Sequence, residues 1–138
     1  MILSGGLVAG TRAGIPFPTW PLMGDTFIPP QIYSMNPSWL SAFEDMATIQ
    51  FNHRMFAYLL TICIVIFAIV LLRSNVPRFL KNGTTALLFV LSLQVALGIS
   101  TLLFYIPIPV AAAHQVGAIA LLSVSLFITH SCLSREQI

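Results

Sequence analysis

The chain has 138 residues, of which 57 % are hydrophobic and only 7 % are charged, and its mean hydropathy is +0.92. An ordinary soluble domain carries about 25 % charged residues, so this composition excludes a soluble globular protein and indicates a membrane protein. Six Lys or Arg residues against four Asp or Glu residues give a net charge of +2, which is too small for a nucleic-acid-binding surface.

The first uncharged run, residues 1–11, is too short to cross a bilayer. It reaches roughly 17 Å as a helix, whereas the hydrocarbon core is about 30 Å thick. It also lacks the basic region and the small-residue cleavage site of a signal peptide. We interpret it as the end of a truncated helix, and we expect the chain to be the C-terminal part of a longer protein, or a split or truncated version of one.

Residues 12–45 form a long segment with one basic and three acidic residues. Five prolines lie between positions 16 and 30, and the segment also contains Trp20 and Trp39. Prolines restrict the backbone, and tryptophans favour the membrane interface. This composition therefore predicts an ordered outer-face loop that lies at the interface rather than a free linker.

The next predicted element is a spanning helix over residues 46–72. Its apolar part, 55–72, is uncharged and close to the roughly 20 residues that a spanning helix needs. Ser41 and Glu44 stand three positions apart, which is the spacing of a capping box. We therefore expect this helix to start near Ser41, before it enters the membrane.

Two further spanning helices are predicted over 84–106 and 109–133, because positions 82–134 contain no charged residue and this run is too long for one helix. The break is predicted at Pro107 and Pro109, since proline ends a helix but is tolerated at the first position of the next. The predicted fold class is an all-α integral membrane protein: a four-helix transmembrane bundle with a truncated first helix and a long outer-face loop.

Positive charges set the predicted orientation. Arg73, Arg78 and Lys81 lie close together without an acidic residue among them, which places their loop on the cytoplasmic side or its equivalent. Arg135 then falls on the same side, and the 12–45 segment faces outside.

Two histidines carry most of the functional information, because a metal-binding residue inside a membrane helix indicates function. His53 lies six residues beyond position 47 and His114 five residues beyond Pro109, so their depths from the outer side are roughly 9 Å and 7.5 Å. Two imidazoles at one depth suit a haem iron, with one ring on each face. The alternative is that each histidine only hydrogen-bonds a neighbouring helix.

Other metals fit this pair less well. Zinc usually takes four ligands, and copper favours thiolate or thioether ligands. Cys63 and Cys132 lack the spacing of a metal or redox motif, and we expect them to pack in the core. Small residues around His114, including Gly117, and Gly98 on the preceding helix would let a flat macrocycle approach the backbone.

Arg54 and Arg12 each have two interpretations. Arg54 follows His53 directly and could bind a haem propionate through a charge-assisted hydrogen bond, or it could extend to lipid headgroups. Arg12 has the same two possibilities with a less favourable placement.

The other polar residues of the predicted helices have weaker functional assignments. Gln50 and Gln115, each near a histidine, could fix the orientation of the rings or form interhelical hydrogen bonds. An interhelical bond is the predicted role of Gln94. His130 lies roughly 24 Å from His114 along the same helix, and we expect it to be interfacial.

Five strings together resemble the C-terminal half of the haem A synthase family, in order and over nearly the whole chain. They are GGLVAGTRAG (5–14), TWPLMG (19–24), QFNHR (50–54), QVALGISTL (94–102) and PVAAAHQ (109–115). Each string alone is weak evidence, but five in sequence with compatible spacing are specific.

The resemblance implies an eight-helix oxidoreductase of two similar four-helix bundles, which oxidises a methyl group of haem O to the formyl group of haem A for cytochrome oxidase assembly. It implies that the C-terminal bundle binds haem b through a histidine pair, matched here by His53 and His114, and that the N-terminal bundle holds the substrate haem and the catalytic acid. We therefore expect this chain to lack the catalytic half and to work with an N-terminal partner half, beside haem O synthase and other assembly factors.

Two other functions remain open from the residues: a free-standing bis-histidine membrane cytochrome b, and a fragment without a cofactor. The absence of an Arg-rich presequence favours a bacterial inner membrane over a mitochondrial inner membrane.

Overall fold

The structure, a computed structural model, describes residues 1–133 and is helical without a β-strand in that range. The predicted Arg135 position lies outside the described residues. Three helices are long and apolar enough to cross a membrane, as the sequence predicts. The helices are α1 (Ile2–Gly10), α2 (Ser41–Glu44), α3 (Met46–Arg73), α4 (Arg78–Leu103) and α5 (Ile108–Leu133), and a short 3-10 helix (Ser38–Leu40) precedes α2.

Helix α3 is capped by Asp45 rather than started by the predicted capping box. The Asp45 carboxylate accepts hydrogen bonds from the backbone N–H of Thr48, at 2.8 Å, and from the Thr48 hydroxyl. Ser41 and Glu44 belong instead to the separate helix α2, and the Ser41 hydroxyl accepts a hydrogen bond from the N–H of Met35 at 3.1 Å. The capping-box prediction is wrong because an extended Asp45 breaks the helix and offers a better acceptor at its N-cap.

Helix α4 spans Arg78–Leu103, whereas the prediction was 84–106. It starts earlier because uncharged sequence marks only the part that crosses hydrocarbon, and a helix can continue through charged residues beyond it. It ends earlier because Tyr105 and Ile106 have φ values of +58° and +60°. This left-handed conformation cannot continue a right-handed helix.

The helices pack so that α1 contacts both α3 and α5, and α4 contacts the same two helices. Each of α3 and α5 is therefore flanked by α1 and α4. Away from α1, six buried side chains form a core that joins the three long helices. These are Leu71, Leu80, Leu87, Leu91, Leu121 and Ile128.

The cysteines only partly match their predicted place in the core. Cys132 is partly buried and packs against the six-residue core. Cys63 is exposed on α3, so its predicted core position is wrong. Apolar sequence does not separate a lipid-facing residue from a core residue, because both environments are apolar.

The chain between α1 and α3 first passes over the end of α4. We call residues 11–22 the cover segment. Ala13 is completely buried, and a Cβ on Gly14 would lie 3.0 Å from Cδ1 of Ile106. The segment thus leaves α1, passes the α4 end at Ile106, and then meets α3 near Arg54.

A second attachment holds the chain farther along. The Thr48 hydroxyl accepts a hydrogen bond from the N–H of Tyr33 at 3.0 Å, and the Tyr33 hydroxyl donates to Oδ1 of Asn52 at 3.0 Å. Phe27 stacks on Tyr58 with ring centroids 6.3 Å apart. The irregular chain between α1 and α2 is therefore fastened along one side of α3.

Candidate cofactor site

His53 is held from helix α1. The Ser4 hydroxyl lies 3.0 Å from Nδ1 of His53 and donates its own proton to the carbonyl of Met1 at 2.9 Å. Because a hydroxyl has only one proton, the arrangement that satisfies both contacts has Ser4 donating to Met1 and accepting from His53, and on this basis we assign the ring hydrogen to Nδ1. The Cε1 atom lies 3.4 Å from the position that a Cβ on Gly5 would take, so the ring packs closely on α1.

His114 is held in the same manner, but from helix α4. Its Nδ1 lies 3.1 Å from the carbonyl oxygen of Gln94, and a carbonyl can only accept, so Nδ1 is again the protonated nitrogen. The Gln94 side chain returns the interaction, because its Nε2 donates to the carbonyl of His114 at 2.8 Å. Gln94 thus joins α4 to α5, as predicted.

Gly98 lets the His114 ring lie directly against α4. A Cβ at this position would come within 2.9 Å of Cε1 of His114, closer than two carbon atoms can approach without displacement. The sequence predicted that Gly98 would make room for a macrocycle. The structure shows that it makes room for the histidine itself.

The two histidines occupy similar positions along their helices and have similar contacts. His53 lies seven residues after the start of α3 and His114 six residues after the start of α5, which corresponds to roughly 10 Å and 9 Å along the helices. Each ring holds its hydrogen on Nδ1, which leaves the lone pair on Nε2. Within residues 1–133 neither Nε2 has a hydrogen-bond partner, so both are available as ligands.

The rest of the described chain offers no complete metal site. Residues 1–133 contain no group of three or more His, Cys, Asp or Glu side chains that could hold a metal ion. A pair of histidine ligands alone suits a metal whose remaining positions are already filled, as in the axial coordination of a porphyrin iron.

Arg54 lies beside His53 but turns toward the cover segment. Its Nη2 donates to the carbonyls of Thr19, at 2.8 Å, and Phe17, at 3.2 Å. Its Nη1 donates to the carbonyls of Leu22, at 3.1 Å, and Pro21, at 3.4 Å. The side chain is only 6 % exposed, so it does not extend to lipid headgroups. Both terminal nitrogens are engaged by the protein's own backbone.

Within residues 1–133 no hydrogen bond joins the remaining predicted residues to the side chains of the histidine pair. Gln50 is buried, and its Nε2 donates to the carbonyl of Phe17 at 3.0 Å rather than to a histidine. Gln115 and Arg12 are exposed. His130 is also exposed, in the last turn of α5, at the end of the helix far from His114.

The contact between Ser4 and His53 was not predicted from the sequence. Ser4 stands alone as a hydroxyl residue in the apolar helix α1. Within a membrane segment such a residue can hydrogen-bond another helix, so its polarity was a usable signal. The carbonyl of Gln94 gave no such signal, because every residue has one.

These features define a class of protein: a helical membrane protein in which two of the apolar helices each carry a histidine near their first turns. The family model for COX15-CtaA, described as "Cytochrome oxidase assembly protein", matches residues 1–126. The chain therefore belongs to this family, and the predicted family is confirmed.

The curated relatives come from bacteria and eukaryotes. "Heme A synthase" of Nitrosospira multiformis is 42 % identical over 130 residues, covering 94 % of this chain and 36 % of the relative. "Heme A synthase COX15" of Bos taurus is 40 % identical over 126 residues, covering 91 % and 30 %. "Heme A synthase" of Paracoccus denitrificans is 42 % identical over 129 residues, covering 94 % and 34 %.

The chain spans about one third of the length of these relatives, a share that agrees with the predicted C-terminal half. No solved structure is significantly similar to it. Together with three apolar helices, these bacterial and mitochondrial relatives identify a multi-pass protein of an inner membrane.

Proposed function

We propose that this chain is the haem b-binding portion of haem A synthase. In that role it supports the oxidation of the haem O methyl group to the formyl group of haem A, for cytochrome oxidase assembly. The observation that carries the proposal is the state of the two histidines. His53 lies seven residues into α3 and His114 six residues into α5; in each ring Nδ1 lies within hydrogen-bond distance of a protein group, and within residues 1–133 Nε2 has no hydrogen-bond partner. Two such nitrogens are what the axial positions of a porphyrin iron require.

The residues around the pair fit this assignment. Ser4 and Gln94 fix the rings through Nδ1, which is the usual way that proteins orient a metal-binding histidine and raise its basicity. Gly98 allows the His114 ring its close approach to α4. Haem b supplies reversible one-electron chemistry when it is bound, and the role of this chain's residues is to hold, orient and enclose it.

The same proposal includes the arrangement of the helices. We infer that α1, α3, α4 and α5 form a four-helix bundle in which the site lies between α3 and α5, toward the outer side of the membrane. The contacts of α1 and α4 with both of these helices support this arrangement.

We also infer that the oxidation itself needs residues from an N-terminal half, with which this chain would associate. Glu44 is exposed, and Asp45 is engaged with Thr48 as a helix cap. Neither carboxylate is placed to exchange a proton at the histidine pair. If the purified chain alone converted haem O to haem A, this division of roles would be wrong.

The proposal is tested by the reduced-minus-oxidised visible spectrum and haem content of the detergent-purified chain. We expect one b-type haem per chain, and we expect His53→Ala and His114→Ala each to lose it or to change its spectrum. His130→Ala is the matched control and should retain it, because His130 lies at the other end of α5. A folded, helical wild-type chain without haem would refute the proposal.

A further inference from the structure

Two buried side chains of α3 hold the cover segment by its backbone. Arg54 donates to the carbonyls of Phe17, Thr19, Pro21 and Leu22, and Gln50 donates to the carbonyl of Phe17 as well. Gln50 and Arg54 are four residues apart, so they lie on one face of the helix. They are 2 % and 6 % exposed. Five hydrogen bonds thus join one face of α3 to four residues of the irregular stretch 17–22.

The burial of Arg54 calls for an explanation. Burying a guanidinium is costly unless its charge is compensated, yet within residues 1–133 no carboxylate forms an ion pair with it. The four carbonyl oxygens take the place of a counter-ion, because their negative ends converge on the two terminal nitrogens. The benefit is mutual, since carbonyls of an irregular segment near hydrocarbon also need donors that water cannot supply.

The path of the cover segment places it across one end of the helices. It leaves α1, which contacts His53 through Ser4. It passes the end of α4, which contacts His114 through Gln94, and there Ala13 is completely buried. It then reaches α3 at Arg54. The segment therefore runs from the end of α1, past the end of α4, to α3. Helices α1 and α4 are the two whose residues contact the histidine rings.

We propose that Arg54 and Gln50 are positioning residues that clamp the cover segment over the histidine pair and so limit the access of water to the site. The clamp itself depends only on contacts between protein groups. The effect of the clamp on a bound haem rests on the proposed function, haem binding by His53 and His114. The clamp uses only the two terminal nitrogens of Arg54, and within residues 1–133 the buried Nε of the same side chain has no hydrogen-bond partner.

The first test measures amide hydrogen exchange of residues 15–24 in the purified chain, whether or not it carries haem. Arg54→Lys keeps the charge but loses the planar fork that reaches several carbonyls, and Gln50→Ala removes the other donor. We expect either substitution to raise exchange in this stretch at least roughly tenfold through local opening. The matched controls are Arg73→Lys and Gln31→Ala, which change the same residue types at exposed positions. Exchange no faster in Arg54→Lys than in Arg73→Lys would overturn the clamp.

The second test measures the midpoint potential of the bound haem in the same variants. Solvent exposure lowers the potential of a buried haem because water stabilises the more highly charged oxidised centre. We expect a lower potential in Arg54→Lys and Gln50→Ala, with haem content and low-spin spectrum retained, and no change in the two controls. Faster exchange with an unchanged potential would overturn the covering role. A wild-type chain that binds no haem would refute the proposed function, while the exchange measurement would still decide the clamp.

Discussion

At the scale of single residues, the closest contact at the site is between Gly98 and His114. We expect Gly98→Ala to displace the imidazole, because the added methyl group would lie 2.9 Å from Cε1. The haem titrated into the purified chain should then bind more weakly or with an altered spectrum. Gly6→Ala is the control, since a Cβ at Gly6 meets nothing within 4 Å. Equal haem binding by the two variants would show that haem binding does not require the close approach of the His114 ring to Gly98.

Ser4 should contribute to haem affinity without touching the haem. Ser4→Ala removes the acceptor for the Nδ1 hydrogen of His53, and loss of such a partner commonly weakens metal binding by roughly 10- to 100-fold. Haem titration followed by absorbance measures the change. Ser92→Ala serves as the comparison, because the Ser92 hydroxyl is exposed and bonds only to the carbonyl of Leu88 in its own helix. If Ser4→Ala and Ser92→Ala bind haem with the same affinity, the Ser4 hydroxyl does not orient the His53 ring.

The residue types of the site differ in how well the sequence could predict them. His53 and His114 could be paired because depth in a membrane helix follows directly from residue count. The partners of Arg54 could not be predicted, since they are carbonyl groups more than 30 positions away in a segment without periodicity. Side-chain chemistry can be read from sequence, whereas the backbone acceptors of an irregular segment depend on its path.

At the scale of elements, the start of α3 is set by Asp45. We expect Asp45→Ala to lower the stability of the purified chain by about 1 kcal/mol, the typical cost of losing an N-cap side chain. Denaturant unfolding followed by circular dichroism measures this change. Glu44→Ala discriminates between the two possible starts, because a capping box beginning at Ser41 would make Glu44 the important residue. A larger loss of stability in Glu44→Ala than in Asp45→Ala would show that the helix starts with a capping box at Ser41.

The long helices were more predictable than their ends. Hydrocarbon thickness imposes a minimum length of apolar sequence, and α3, α4 and α5 all meet it. Nothing comparable fixes where a helix ends in water or headgroups. The early start of α4 at Arg78 and its end before Tyr105 were therefore outside the reach of composition.

At the scale of the whole molecule, we expect the histidine end to lie on the outer side and the turn between α3 and α4 on the cytoplasmic side. In a background of Cys63→Ser and Cys132→Ser, we expect a membrane-impermeant maleimide to label Ser34→Cys in intact cells. Asn75→Cys should be labelled only after the membrane is permeabilised. Both positions are exposed, so a difference between them reports the side of the membrane. Labelling in the reverse order would contradict the orientation.

The central proposal is that His53 and His114 would together hold one haem iron. The electron paramagnetic resonance spectrum of the oxidised, haem-loaded chain tests it most directly, because it reports the spin state that the two axial ligands impose. The account predicts a low-spin signal in the wild-type chain and in His130→Ala, and a high-spin signal or loss of haem in both His53→Ala and His114→Ala. A low-spin signal that persists in either of these two variants would contradict the account.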